Sequence, residues 1–116
     1  MDEKKTFEEI LATEYSERFD EIRKKMMVMS YYIYGPVAKN AGKGVDEIKS
    51  ALKRIEKYQD TGNTEFLADA ANFLMIEFMY PSHPKAHYRP TDHDESPGIH
   101  GISIREIEQL KLESLD

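Results

Sequence analysis

All four histidines of this 116-residue chain, His83, His87, His93 and His100, fall between residues 81 and 102, with four of its five prolines, Pro81, Pro84, Pro90 and Pro97. Proline fixes φ and lowers the conformational entropy a segment gives up when it holds a ligand, so this composition suits a stiff recognition loop better than a linker. Within the loop Tyr88 offers a stacking face and Arg89 a planar fork for phosphate. Thr91, Asp92, Asp94 and Ser96 can hydrogen-bond ribose hydroxyls or base edges. The plainer alternative is a packing strap across the helices. His83, His87, His93, Asp92 and Asp94 also have the chemistry of zinc or manganese ligands. However, H-x3-H turns two ring nitrogens to one side only in a helix, and Pro84 and Pro90 oppose a helix there.

A second group of chemically competent side chains lies upstream. On a helical wheel Glu65, Asp69 and Asn72 fall within about 60° of one another, and Glu77 lies well away. A narrow polar stripe on an otherwise apolar helix must find partners, since an unpaired buried carboxylate costs several kcal/mol. It pairs either with Arg or Lys from a neighbouring helix or with a ligand. With Glu56 and Asp60 just upstream, the stripe loosely resembles the acidic helices of magnesium-dependent all-α nucleoside-triphosphate pyrophosphohydrolases. Their E-x-x-E and later E-x-x-D spacing is not met, because Glu65 to Asp69 is E-x-x-x-D. There is no Gly-x-Ser-x-Gly elbow and no P-loop, and zero cysteines exclude thiol catalysis, disulfides and Cys-based metal sites.

These residues need helices to position them. Thr6 and Glu9 form a capping-box pattern, followed by apolar residues at Phe7, Ile10, Leu11, Tyr15, Phe19, Ile22, Met26, Met29 and Ile33. The pattern predicts one helix of about 28 residues, some 42 Å long, stopping at Gly35-Pro36. A compact chain of this size is only about 35 Å across. Either the helix breaks near Ser30, or its overhang packs on a second copy of the protein; the second is the expectation adopted. Met26, Met27, Met29, Tyr31, Tyr32 and Tyr34 crowd its end as an interface or as one end of the core.

After a connection at residues 40–44, Val45, Ile48, Leu52, Ile55 and Tyr58 mark a second, amphipathic helix ending at Asp60-Thr61-Gly62. Its outer face is predicted to carry Lys49, Lys53, Arg54 and Lys57, as a solvated surface or an anion-attracting one. Asn63 caps a third, central helix from Thr64 to about Tyr80. Ser103 and Glu106 open a fourth through Ile104, Ile107, Leu110 and Leu115. The fold expected is therefore all-α: four helices in a single domain over residues 1–116, with a long N-terminal helix and a long ordered loop before the last.

A net charge of −6 argues against a duplex-DNA binder, and no apolar run reaches the ~18 residues of a membrane span or resembles a signal peptide, so a cytoplasmic protein is expected.

Across residues 54–104 the chain resembles a family of small phage proteins. The likeness is carried by Thr61-Gly62-Asn63-Thr64-Glu65 through Phe73, Ile76-Glu77-Phe78-Met79, His83-Pro84, Ala86-His87-Tyr88, Thr91-Asp92 and Ser96-Pro97-Gly98. The family is identified as the anti-Thoeris sponges, which sequester cyclic ADP-ribose isomers made by bacterial immune TIR enzymes. Some members also capture cyclic oligonucleotides. The resemblance implies a non-enzymatic counter-defence protein, a homodimer or higher homo-oligomer that buries a signalling nucleotide between subunits and needs no cofactor or metal. On that reading Arg89 and Arg105 meet the pyrophosphate, and Tyr88 and Phe78 wall the adenine. Asp92 and Asp94, with His87 and Thr91 beside them, accept from ribose hydroxyls, while Arg23 reaches a partner subunit's site or forms a salt bridge on its own helix. The alternatives kept open are a magnesium-dependent pyrophosphohydrolase and a protein-interaction module with no small ligand.

Overall fold

The computed structural model describes residues 4–91, which form five helices and, among the described residues, no strand. In chain order these are α1 (Phe7–Glu14), α2 (Glu17–Tyr34), α3 (Val37–Asn40), α4 (Glu47–Thr61) and α5 (Glu65–Met79). The chain separates into two compact units, Met1–Pro84 and Lys85–Asp116, and all five helices belong to the first. The helix expected from Ser103 onward lies outside the described residues.

The expected single N-terminal helix is two, of 8 and 18 residues. Thr6 caps α1 as its sequence pattern predicts, its Oγ1 accepting from the Glu9 amide at 3.1 Å. Tyr15 then turns extended, at φ −142° and ψ 155°. Ser16 opens α2, its Oγ accepting from the Phe19 amide at 3.0 Å, and Glu17 and Asp20 favour the positive end of the new helix. The Tyr15 hydroxyl reaches across the corner to donate to the Asp20 carboxylate. That bond, reinforced by the carboxylate's charge, raises the Tyr15 phenol above its ordinary 10.0. The break falls at Tyr15–Ser16 rather than Ser30 because a local cap is available there.

The other boundaries follow local chemistry. Gly35, at φ +84°, closes α2 with its amide on the Tyr31 carbonyl at 2.8 Å, and Pro36 forbids continuation. The one-turn α3, absent from the sequence reading, is tied back by Asn40 Nδ2, which donates to the carbonyls of Tyr34 at 2.7 Å and Pro36 at 3.2 Å. Asp46 caps α4 by accepting from the Lys49 amide at 3.0 Å. Gly62, left-handed at φ +74°, ends it with its amide on the Tyr58 carbonyl at 2.7 Å. The N-cap of α5 is Thr64, which makes no side-chain cap bond, rather than the expected Asn63, whose Oδ1 nonetheless accepts from the Glu65 amide at 3.1 Å.

α4 and α5 form a helical hairpin joined by residues 62–64, and α5 also packs on α2, so α5 is central as predicted. The contact is made by small residues: Ala51, Ala68 and Ala70 are buried, and no large side chain is fully buried among the described residues. The predicted inner face of α4 is corrected. Ile48, Leu52 and Ile55 are exposed, with Leu52 at 56%, whereas the buried positions of α4 are Glu47 and Ala51. A ridge of aliphatic side chains therefore lies on the outside of the hairpin. On α2, Val28, Met29, Tyr31, Tyr32, Ile33 and Tyr34 are exposed too, so these residues do not close one end of a core within this unit.

Candidate functional site

The polar stripe on α5 finds partners on both neighbouring helices. Asp69 Oδ2 accepts from Arg54 Nε at 3.0 Å, and the Arg54 guanidinium lies 4.7 Å from the centre of the Phe73 ring. Arg54 also donates through Nη1 to the Ser50 carbonyl at 3.4 Å. Two of the five guanidinium N–H donors are thus engaged in orienting the group, which leaves the rest available to an oxyanion. Arg54 is therefore not on the outer face of α4, as the helical pattern suggests, but turned inward and half-buried. Asn72, buried on the same stripe, donates through Nδ2 to the Arg23 carbonyl of α2 at 3.1 Å. Glu77 lies off the stripe and instead accepts from the Ser82 amide at 2.6 Å, holding the chain where it leaves α5.

Beside the Arg54–Asp69 pair, α2, α3, α4 and α5 border a cavity of about 960 Å³ that is open to solvent. Its apolar wall comes from Met26, Met29 and Ile33 of α2 with Phe73 and Ile76 of α5. Its polar groups converge from three helices: Lys25 of α2; Glu47, Ser50 and Arg54 of α4; Glu65 and Asp69 of α5. Lys25 and Glu65 are solvent-exposed, whereas Glu47 is only 5% exposed. An apolar hollow with a few convergent polar groups is the usual form of a small-molecule site, and this volume lies at the upper end of the ~300–1,000 Å³ range. Among the described residues, no group of three or more His, Asp or Glu side chains is arranged to hold a metal ion.

The residues predicted as a site are placed as follows. Arg23 is half-buried on α2, its guanidinium 3.9 Å from Asp20 and 5.5 Å from the Phe19 ring centre, which is the same-helix salt bridge weighed for it. Its Nε is buried without a partner, as is Asn72 Oδ1. Phe78 is exposed on α5. His87, Tyr88, Arg89 and Thr91 are exposed in a non-helical segment of the second unit, where His87 Nδ1 lies 2.9 Å from the Lys85 carbonyl oxygen. Asp92, Asp94 and Arg105 lie outside the described residues. Of the predicted residues in the first unit, neither Arg23 nor Phe78 is among those lining the cavity. Glu65 and Asp69, singled out by their helical phase, do line it. Glu47 was missed, and Arg54, read as part of an outer solvated or anion-attracting face, was placed on the wrong side, although both share one face of α4 with Ala51, and that 4-then-3 spacing was the available signal.

The described part of the first unit is thus a small all-α assembly in which a helical hairpin rests on a longer helix beside a ligand-sized hollow. The chain matches no known protein-family model, no curated protein and no solved structure.

Proposed function

We propose that the protein binds a nucleotide in the α2–α3–α4–α5 cavity and sequesters it without turnover, as a cytoplasmic phage counter-defence protein would sequester a cyclic ADP-ribose isomer or cyclic nucleotide signal. The observation that carries this reading is the cavity itself, with aromatic and aliphatic walls on one side and an oriented guanidinium on the other. Arg54, with donors left over, and Lys25 supply charge for phosphate, while Phe73 and Tyr34 supply flat surfaces near a base. The resemblance of residues 54–104 to the anti-Thoeris sponges supports the same reading.

A second copy of the chain completes the proposed assembly. With only alanines buried among its apolar residues, the described unit leaves the ridge Ile48, Leu52, Ile55 and the aromatic end of α2 in water. Exposed apolar surface of that extent marks an association face.

The second reading is magnesium-dependent pyrophosphohydrolysis: Glu47, Glu65 and Asp69 line the cavity from two helices, although among the described residues they are not grouped to hold a metal ion. A single experiment separates the two. The protein is incubated with cyclic ADP-ribose or with 3′,5′-cyclic GMP, with and without magnesium, then denatured, and the supernatant is chromatographed. Intact ligand recovered in stoichiometric amount supports sequestration, whereas hydrolysed product in excess over protein establishes the enzyme. No ligand retained and no thermal shift with either compound leaves an interaction module.

A further inference from the structure

The exposed ridge of α4 has a pattern of its own. Ile48, Leu52 and Ile55 follow one another in steps of four and three, which is the a/d seam of a coiled coil, so another helix can cover them along the length of α4. The face that α4 turns to its own unit is a different one, carrying Ala51 and the inward-turned Arg54. Beside the seam, one heptad apart at the e position, stand Lys49 and Glu56. Both are exposed, and among the described residues neither side chain has an ion-pair partner.

The placing of these two charges selects the partner. When two identical helices pack antiparallel, like edges meet, so e residues of one copy face e residues of the other. Put the two-fold axis at the middle of α4, between residues 53 and 54, and Leu52 lies opposite the partner's Ile55 while Lys49 comes beside the partner's Glu56. Nearly the whole of α4 overlaps in that register. Sliding by one heptad moves the axis to residue 50, halves the overlap and sets Lys49 against the partner's Lys49. A parallel pair would set Ala51 beside Glu56 and match no charges at all. One arrangement therefore buries the seam and pairs both charges, and the occupant it requires is a second copy of α4.

We propose that α4 is the homodimerisation helix: two copies pair antiparallel through Ile48, Leu52 and Ile55, and two symmetry-related Lys49–Glu56 ion pairs fix the register. The proposal rests on the second-copy reading above and gives that assembly its surface and orientation, with no part required of the aromatic end of α2.

The test is sedimentation velocity on the full chain at micromolar concentration and low salt, for the native protein, Lys49→Glu, Glu56→Lys and an equimolar mixture of the two variants. The native chain is expected to be a dimer. Each variant alone replaces two attractions by two repulsions, so its dimer should dissociate about tenfold more readily. In the mixture every mutated residue meets its opposite, and dimerisation should return to within about threefold of native. Higher salt should narrow the difference between variant and native. If both variants dimerise like the native chain, the second copy is held elsewhere and the α4 pairing is overturned. If the variants dissociate but the mixture does not reassociate, the antiparallel register is overturned. A native monomer removes the second-copy reading itself, and flotation of that monomer with phosphatidylglycerol vesicles would give the lysine-flanked ridge to a membrane surface instead. Both substitutions are on exposed side chains, and restoration in the mixture separates a lost contact from a damaged fold.

Discussion

Truncating Arg54 should weaken the hairpin by an amount its contacts set. The guanidinium lies 3.0 Å from Asp69, with the two side chains 32% and 35% exposed, so solvent screens the pair. Such a bridge is worth about 0.5–1 kcal/mol. The stack over Phe73 at 4.7 Å adds about 0.5–1 kcal/mol, and the 3.4 Å contact to Ser50 adds little at that length. Arg54→Ala is therefore expected to cost about 1–2 kcal/mol, or roughly 4–8 °C in Tm for a domain near this size. Arg54→Lys keeps the charge but not the planar stack and should lose about half as much. The decisive measurement is a double-mutant cycle of Arg54→Ala and Asp69→Ala by urea denaturation at one fixed protein concentration. The coupling should be about 0.5–1 kcal/mol. If the two substitutions are additive within ~0.3 kcal/mol, the ion pair does not orient Arg54, and the cavity loses its argument for a preset phosphate group.

Three further outcomes are expected. Asn72→Ala removes the buried 3.1 Å bond to the Arg23 carbonyl between α5 and α2, and should cost about 1–2 kcal/mol in the same denaturation assay. Tyr15 has a raised folded pKa, so its contribution is fully present below its unfolded value of 10.0 and is lost as pH climbs through the higher folded value. Tyr15→Phe should abolish that alkaline loss, read as stability against pH from 9 to 12; an unchanged profile would show that the α1–α2 corner does not depend on the bond to Asp20. Light scattering should find at least a dimer for the native chain, and Leu52→Glu, on the exposed ridge of α4, should shift it toward monomer with helical content retained. A native monomer at micromolar concentration contradicts the proposed assembly.

Much of the candidate site was half-visible in the chain. The phase of Glu65, Asp69 and Asn72 on α5 marked a stripe that had to be satisfied, and two of the three line the cavity. The identity of the satisfying group was not visible, because the amphipathic pattern of α4 assigned Arg54 to the solvent side. The break at Tyr15–Ser16 was hidden for a related reason: apolar spacing runs from Leu11 to Tyr15, Phe19 and Ile22 in steps of four, four and three, so the phase survives the interruption. Ser16 followed by Glu17 and Asp20 was the overlooked start signal.

Sequence alone determined the all-helical character of the described elements, the cap at Thr6, and the stops at Gly35-Pro36 and Gly62. Each of these depends on dihedral preference and on hydrogen bonds that close within about four residues. Tertiary structure decided which face of α4 turns inward. That choice depends on what packs opposite: alanines on α4 and α5 allow close approach, and the Asp69–Arg54 pair and the cavity take the face that hydropathy assigned to water. A helical wheel records which residues share a side, whereas burial is a property of two surfaces meeting.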